Sequence, residues 1–420
     1  MTNIEKEHPS NLYPSEGFPS PNTKWTIKKP TACIVFADGK IIKGVGLGAT
    51  GSKVGEICFN TSITGYQEIL TDPSYLSQIV TFTFPHIGNV GANSYDIENY
   101  SKEANNGAVG AIFKCDITDP ANYRSTLHLN DWLKQQGIIA IAGVDTRALT
   151  HFIRQNGAPN ATIAHDPTGD FDYNGLQKQA QNWSGLNGLD LAEIASAKKS
   201  DIWNENSWCW QNQTYQTSSP SDNLPHIVVI DYGIKRNILR LLRDLNARIT
   251  IVNAKTRAEE ILALNPDGIF LSNGPGDPAA TGKYAIPILQ KLFEYDVPIF
   301  GICLGHQLIA LAVGAKTIKM KQGHRGANHP VKDHNSGKVE IVSMNHGFAV
   351  DSATLPNHVI ETHTSLFDNT NCGLSFVDKD IFSVQHHPEA SPGPQDSYHL
   401  FKKFKSSVIK HYQTKSERSK

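Results

Sequence analysis

One cysteine of this chain lies between two glycines where an apolar run meets a helical one: Phe300-Gly301-Ile302-Cys303-Leu304-Gly305-His306-Gln307. Residues 297–302 read as a buried strand and residues 307–313 as a helix, which sets Cys303 on a sharp elbow. Such an elbow crowds the backbone and asks for unusual dihedrals that flanking glycines tolerate, and the N-terminus of the next helix favours a thiolate. That is how a nucleophile is presented. A nucleophilic thiol needs a base. In Gln385-His386-His387-Pro388-Glu389, residues 381–385 read as a strand ended by Pro388, which leaves His387 exposed at the sheet's rim with Glu389 two positions on. Nucleophile, base and carboxylate orienter are the parts that triads on unrelated folds share. Singly, each residue has a plainer reading: a cysteine is commonly a buried packing residue, and His387 is one of 17 histidines. The glycine pair is what argues for chemistry.

Positioning these groups requires a sheet. In the second half, strand-like residues 227–233 and 249–253 flank helix-like residues 235–245, the alternation of a parallel sheet, whose active groups gather at strand C-terminal ends. In the first half, residues 32–36 open a strand and Asp38-Gly39 turns into Ile41-Ile42. A β-rich region continues to about Gly91, with helices over residues 126–136 and 146–155. The expected layout is a flexible extension at 1–30, a first domain at 31–209, a linker at 210–225, a second domain at 226–409 and a basic tail at 410–420. The fold class is α/β: a β-rich mixed α/β domain, then a central mostly parallel sheet flanked by helices.

Composition narrows the function classes. The 420 residues carry a net charge of -1, so no electrostatic field draws the chain to nucleic acid or an anionic membrane. Cys33, Cys58, Cys115, Cys209, Cys303 and Cys372 are scattered without a C-x-x-C pair, which argues against a zinc ribbon or disulfide framework and for a reduced, cytoplasmic setting. There is no signal peptide or long apolar span. Gly46-Leu47-Gly48-Ala49-Thr50-Gly51 fits G-x-G-x-x-G, and Gly51-Ser52-Lys53 approaches a phosphate loop. Residues 54–59 behind them alternate like a strand, which makes a dinucleotide or ATP site improbable. His346, His386, His387 and Glu389 do not make a metal site, because adjacent strand histidines point to opposite faces.

The elbow and the His387-Pro388-Glu389 segment together resemble the class I (triad) glutamine amidotransferases. Leu271-Ser272-Asn273-Gly274-Pro275-Gly276-Asp277-Pro278 is similar to that family's oxyanion-forming loop, and Ser343-Met344-Asn345-His346-Gly347-Phe348 to its glutamine-contacting segment. In the first half, the run from Gly55 through Asn60-Thr61-Ser62-Ile63-Thr64-Gly65-Tyr66 to Tyr75 resembles the amino-terminal domain of carbamoyl phosphate synthetase small subunits. So do Pro85-His86-Ile87-Gly88-Asn89-Val90-Gly91, Gly143-Val144-Asp145-Thr146-Arg147 and Asp231-Tyr232-Gly233-Ile234-Lys235-Arg236-Asn237. The likeness runs from about Thr31 to about Ser406.

The resemblance implies a glutaminase subunit with catalytic Cys303, His387 and Glu389. It implies glutamine binding by Ser74, Gly274, Gly276, Leu304, Gln307, Asn345, Gly347 and Phe348. For Ser74, the residues alone favour a turn position after Pro73. Hydrolysis would pass through a γ-glutamyl thioester, with backbone N–H groups of Leu304 and Gly274 stabilising the oxyanion by about 3–4 kcal/mol per donor. Ammonia would pass to a large synthetase subunit that uses ATP and Mg to make carbamoyl phosphate for arginine and pyrimidine synthesis. No cofactor is expected in this chain. One departure is His386, where the family usually has Gly or an aromatic residue; the His-Pro-Glu register favours His387 as base, with His346 the remaining rival. The alternatives are a glutaminase of anthranilate or guanylate synthesis, a free-standing γ-glutamyl hydrolase, or a non-enzymatic regulatory homologue. The first domain argues against the three enzymes, and the intact Cys303, His387 and Glu389 against the last.

Overall fold

The computed structural model describes residues 29–101, 107–218 and 223–418. Most of the expected extension, part of the expected linker and the last two residues of the tail lie outside them. The first half closes a seven-stranded barrel from β1 (Ala32–Phe36), β2 (Ile41–Gly48), β3 (Gly51–Asn60), β4 (Gln78–Phe82), β5 (Gly110–Ile112), β6 (Ile139–Ala142) and β7 (Asn160–His165). Its order is β1-β2-β6-β5-β4-β3-β7; β3 to β6 pair in parallel, and the other pairs are antiparallel. Ile34, Ile57, Ile79, Ile112, Ile141 and Ile163 meet in one buried cluster, which uses the β-branched residues that suit strands. Helices α1 (Tyr66–Thr71), α2 (Leu129–Gln135), α3 (Thr146–Asn156), α4 (Tyr173–Asn182) and α5 (Ala192–Ala195) complete this half. The G-x-G-x-x-G stretch ends β2 and turns into β3, and no helix follows it.

Two segments near the expected boundary join the second half. β8 (Asp201–Trp203) is an antiparallel edge strand of its sheet, and β9 (Glu205–Cys209) pairs with β10 (Thr214–Thr217) as a hairpin, so the expected linker contains a strand. The sheet has ten strands, in the order β16-β15-β17-β18-β19-β14-β13-β11-β12-β8. Its centre is parallel: β11 (His226–Asp231), β12 (Arg248–Asn253), β13 (Gly268–Leu271), β14 (Ile299–Ile302) and β19 (Ile381–Val384). An antiparallel wing of β15 (Lys316–Asp333), β16 (Val339–Asp351), β17 (Val359–Ser365) and β18 (Asn371–Phe376) extends one side.

Helices α6 (Arg236–Asp244), α7 (Ala258–Ala263), α8 (Pro278–Leu292), α9 (Leu304–Ala312) and α10 (His399–Arg418) pack around the parallel centre. Alternate residues of one strand enter different cores: Val228 and Ile230 join one buried cluster, Ile227 and Val229 the other. Burial on both faces explains why these strands are continuous apolar runs. Among the described residues, no helix is long and apolar enough to cross a membrane.

Candidate active site

The C-terminal ends of four parallel strands converge here, as an open α/β sheet provides. At the end of β14, Cys303 has φ 54° and ψ −101°, a sparsely populated conformation for a residue with a side chain. Of the two demands expected of the neighbouring glycines, they meet the backbone crowding, while Cys303 itself adopts the strained angles. A Cβ on Gly305 would lie 2.4 Å from Leu271 O, and one on Gly301 2.9 Å from the backbone of Gly305. The elbow is pinned by Cys303 N–H to Val384 O (2.9 Å) and Gln307 N–H to Cys303 O (3.1 Å). Helix α9 therefore begins at Leu304, directly after Cys303 and three residues earlier than the periodicity indicated. Cys33 and Cys58 pack in apolar clusters, where desolvation pushes their thiols up to about 11 and about 12.

His387 follows β19 at the sheet's rim but is 2% exposed, which corrects the expectation of an exposed imidazole. The extended strand does end there, but Asn60, Asp72 and Tyr75 of the barrel half line the same small cavity as His387. His387 Nδ1 and Glu389 Oε1 are 2.7 Å apart, and Nε2 makes no other bond. Cys303 Sγ donates to Asn345 O (3.6 Å). Catalytic hydrogen bonds often tighten only once substrate is bound. Burial opposes a charge on the His387 ring, but Glu389 and Cys303 outweigh it and raise the ring to about 10.

Sequence reasoning missed the partner of Glu389. Lys235, at the end of the turn after β11, is buried and donates from Nζ to Glu389 Oε1 (3.0 Å) and Ala390 O (2.7 Å). Burial works against both charges of this pair. It is outweighed by Lys235 and His387, which hold Glu389 down at about 2, and by Glu389, Glu98 and Asp72, which raise Lys235. The segment containing Lys235 was singled out as a likeness, but nothing in its spacing assigns the lysine a partner.

The expected glutamine-binding residues fall around this centre. A Cβ on Gly274 would meet Leu304 Cδ2 at 2.9 Å and Tyr232 O at 2.2 Å, so the two expected oxyanion donors belong to neighbouring residues. Gln307 Nε2 donates to Phe348 O (2.8 Å) and Gln385 Oε1 (2.9 Å), which ties α9 to the segment that includes Gly347 and Phe348. Gly276 packs instead against Leu189 and Leu191. Ser74 comes from the barrel half: its Oγ accepts from Asn273 Nδ2 (2.9 Å), beside Gly274. Two positions before it, Asp72 was also missed. One oxygen accepts from Ser74 N–H (2.9 Å), as a turn-capping residue would, and the other from Asn345 Nδ2 (3.0 Å).

The rival histidines face elsewhere. His346 Nδ1 pairs with Phe348 O (2.8 Å), its ring packs 5.0 Å from His324, and burial lowers its pKa well below the usual range. His386 lies against His363 at 5.6 Å, both its ring nitrogens buried without a hydrogen bond. Beside His387 is a cavity of about 30 Å³ lined by Asp72, Lys235, Asn345, His387 and Ser391 among others. Larger cavities, such as one of about 560 Å³ along residues 164–172, contain none of these groups. Among the described residues, no three His, Cys, Asp or Glu side chains are arranged to hold a metal ion.

Comparison with known proteins matches both halves. The class-I glutamine amidotransferase model covers residues 228–407, and the model for the carbamoyl-phosphate synthase small chain, CPSase domain, covers residues 34–163. The carbamoyl phosphate synthase small chain of Rhizobium meliloti (strain 1021) is 65% identical over 380 residues, 90% of this chain and 94% of that protein. The protein of the same name from Bartonella henselae is 63% identical over 400 residues, 95% of this chain and 100% of that one. A solved glutamine amidotransferase from Thermotoga maritima aligns at 19% identity with a TM-score of 0.33, over 45% of this chain and 85% of its own.

Proposed function

The chain belongs to the carbamoyl-phosphate synthase small-chain family, and from that membership we propose that it hydrolyses glutamine for the synthase through Cys303, His387 and Glu389. The observation that carries this reading is the strained elbow at Cys303 above a buried His387–Glu389–Lys235 chain of bonds. Cys303 thiolate attacks the side-chain amide carbon of glutamine. Backbone N–H groups of Leu304 and Gly274 receive the negative charge that develops on oxygen. The imidazolium of His387 gives its Nε2 proton to the leaving nitrogen, and ammonia departs from a γ-glutamyl thioester. The neutral ring then takes a proton from water, whose attack on the thioester releases glutamate and restores the thiolate. Glu389, held by Lys235, keeps Nδ1 protonated and Nε2 free for each transfer. Ser74, Gln307, Asn345, Gly347 and Phe348 bind glutamine around the elbow, and Gly276 shapes the loop that carries Gly274.

Ammonia released to water would be protonated and lose its nucleophilicity, so the product goes through protein to a large synthetase chain. That chain supplies the ATP and Mg²⁺ chemistry that makes carbamoyl phosphate, the precursor in arginine and pyrimidine synthesis.

The test is carbamoyl phosphate formation by this chain with a large chain, comparing glutamine and ammonia as nitrogen donors. Cys303→Ser should abolish synthesis from glutamine and leave synthesis from ammonia intact. Glutamine-dependent synthesis that survives the substitution would show that another residue is the nucleophile.

A further inference from the structure

We propose that Glu98, on the barrel side of the domain junction, is a positioning residue for Glu389; the inference rests on the triad reading above. Glu98 is 1% exposed and belongs to none of the motifs. Its carboxylate crosses the junction and takes two hydrogen bonds from the second half, Oε2 from Asn237 N–H (2.9 Å) and Oε1 from Ser391 Oγ (2.5 Å). Its backbone carbonyl accepts from Arg236 N–H (2.9 Å), and Asn99 forms an antiparallel bridge with Lys235.

These contacts converge on one carboxylate. Lys235 is the N-cap of α6 but caps it with no side-chain bond, because an ammonium group has no lone pair to accept from the helix N–H groups, and it donates instead to Glu389 and Ala390. The first turn of α6 thus lacks a cap of its own, and Glu98 supplies both an acceptor and a negative charge there from the other half of the molecule. The same turn holds Glu389 a second time, through Asn237 Nδ2 to Glu389 O (2.7 Å). Ser391, the other partner of Glu98, is two residues beyond Glu389. Glu98 therefore clamps the first turn of α6 and the loop after the triad together, while touching neither His387 nor Cys303.

In the complex with the large chain, Glu98→Ala should lower kcat for glutamine hydrolysis about tenfold or more, the effect of a small misplacement of a catalytic group. KM for glutamine should stay within about twofold, because the hydrogen bonds of the Glu98 carboxylate go to Asn237 and Ser391 and to none of the residues proposed to bind glutamine. Rates are normalised to sites titrated by a thiol-directed reagent, so that loss of folded protein does not count. The upper limb of the pH–rate profile should move to lower pH as Glu389 loosens from the ring. Glu98→Gln retains the shape and one acceptor, disturbs folding least, and should give a smaller loss in kcat with the same unchanged KM. Tyr100→Phe removes a neighbouring junction bond, Tyr100 Oη to Asp201 Oδ2 (2.6 Å), and should leave kcat unchanged.

Wild-type kcat and pH profile per titrated site in both Glu98 variants overturn the inference, as does an equal loss in Tyr100→Phe, which would mean general loosening of the junction. Cys303→Ser run alongside separates the two readings. Glutamine turnover that persists there overturns the triad itself, whereas its loss beside unaltered Glu98 kinetics overturns the positioning role alone.

Discussion

Both halves of the molecule contain parallel strands, yet only one presents its strand ends to chemistry. The barrel closes on itself and fills with isoleucine, so its interior is occupied. The ten-stranded sheet is open, and the C-terminal ends of β11, β13, β14 and β19 supply Lys235, the loop with Asn273, Cys303 and His387. The barrel contributes through connecting segments instead: Asp72 and Ser74 follow α1, and Glu98 follows β4. The strand ends of the open sheet bring together the groups proposed for chemistry, and the closed barrel adds side chains that bond to them. The comparison also separates two kinds of acidic residue, Glu389 inside the charge-bearing chain and Asp72 outside it.

The division can be broken most severely from the open sheet. Glu389→Gln should lower kcat about 100-fold or more, the range typical of general acid–base catalysis. The pH dependence follows from the directions of the shifts. His387 is raised to about 10, so its contribution to stability is full below its unfolded value near 6.5 and is lost as pH rises through 10. Glu389 is held at about 2, so its contribution is full above about 4.5 and is lost as pH falls through 2. The variant should therefore lose most stability relative to wild type between about pH 4.5 and 6.5, and the pH limit for alkylation of Cys303 should fall. Unfolding curves across pH and iodoacetamide inactivation rates check both; an unchanged alkylation profile would remove Glu389 from the triad.

A smaller effect is expected from the barrel side. Asp72→Ala removes the carboxylate that anchors the Asn345 amide and caps Ser74. A hydrogen bond to a charged group is worth about 1.5–3 kcal/mol, so KM for glutamine should rise about 10-fold or more, with a lesser change in kcat. Steady-state kinetics with glutamine varied decide it. A loss confined to kcat would place Asp72 with Glu389 rather than with the binding residues.

The smallest effect should come from the sheet face opposite the triad. His386→Phe should leave kcat/KM within about twofold, because the ring is directed at His363 and neither nitrogen has a partner. Stability should be unchanged or higher by about 1–2 kcal/mol, since two buried unpaired nitrogens are removed. A tenfold loss of activity would show that the two adjacent histidines act together.

Much of the site was legible because its signals are local. The elbow is eight contiguous residues in which strand, glycine, cysteine and helix follow one another, and His387-Pro388-Glu389 is a three-residue pattern. Strand alternation also placed the choice between His386 and His387, since neighbouring side chains in an extended chain diverge. The helix after Cys303 was read three residues short, because Gly305 weakens a helical pattern that its close approach to Leu271 O in fact requires. The burial of His387 was not legible: a residue ending a strand looks exposed until the fold brings distant segments around it.

The sequence by itself therefore determined the class of sheet and where Cys303 and His387 stand in it, because each follows from dihedral preference and periodicity over a few neighbouring residues. Only the tertiary structure decided that Lys235 holds Glu389 across 154 residues, that Asp72 holds Asn345 across 273, and that Glu98 caps α6 across 139. Charged and amide side chains follow no period and pair with whatever the fold brings to them; where they are buried, desolvation makes finding that partner obligatory.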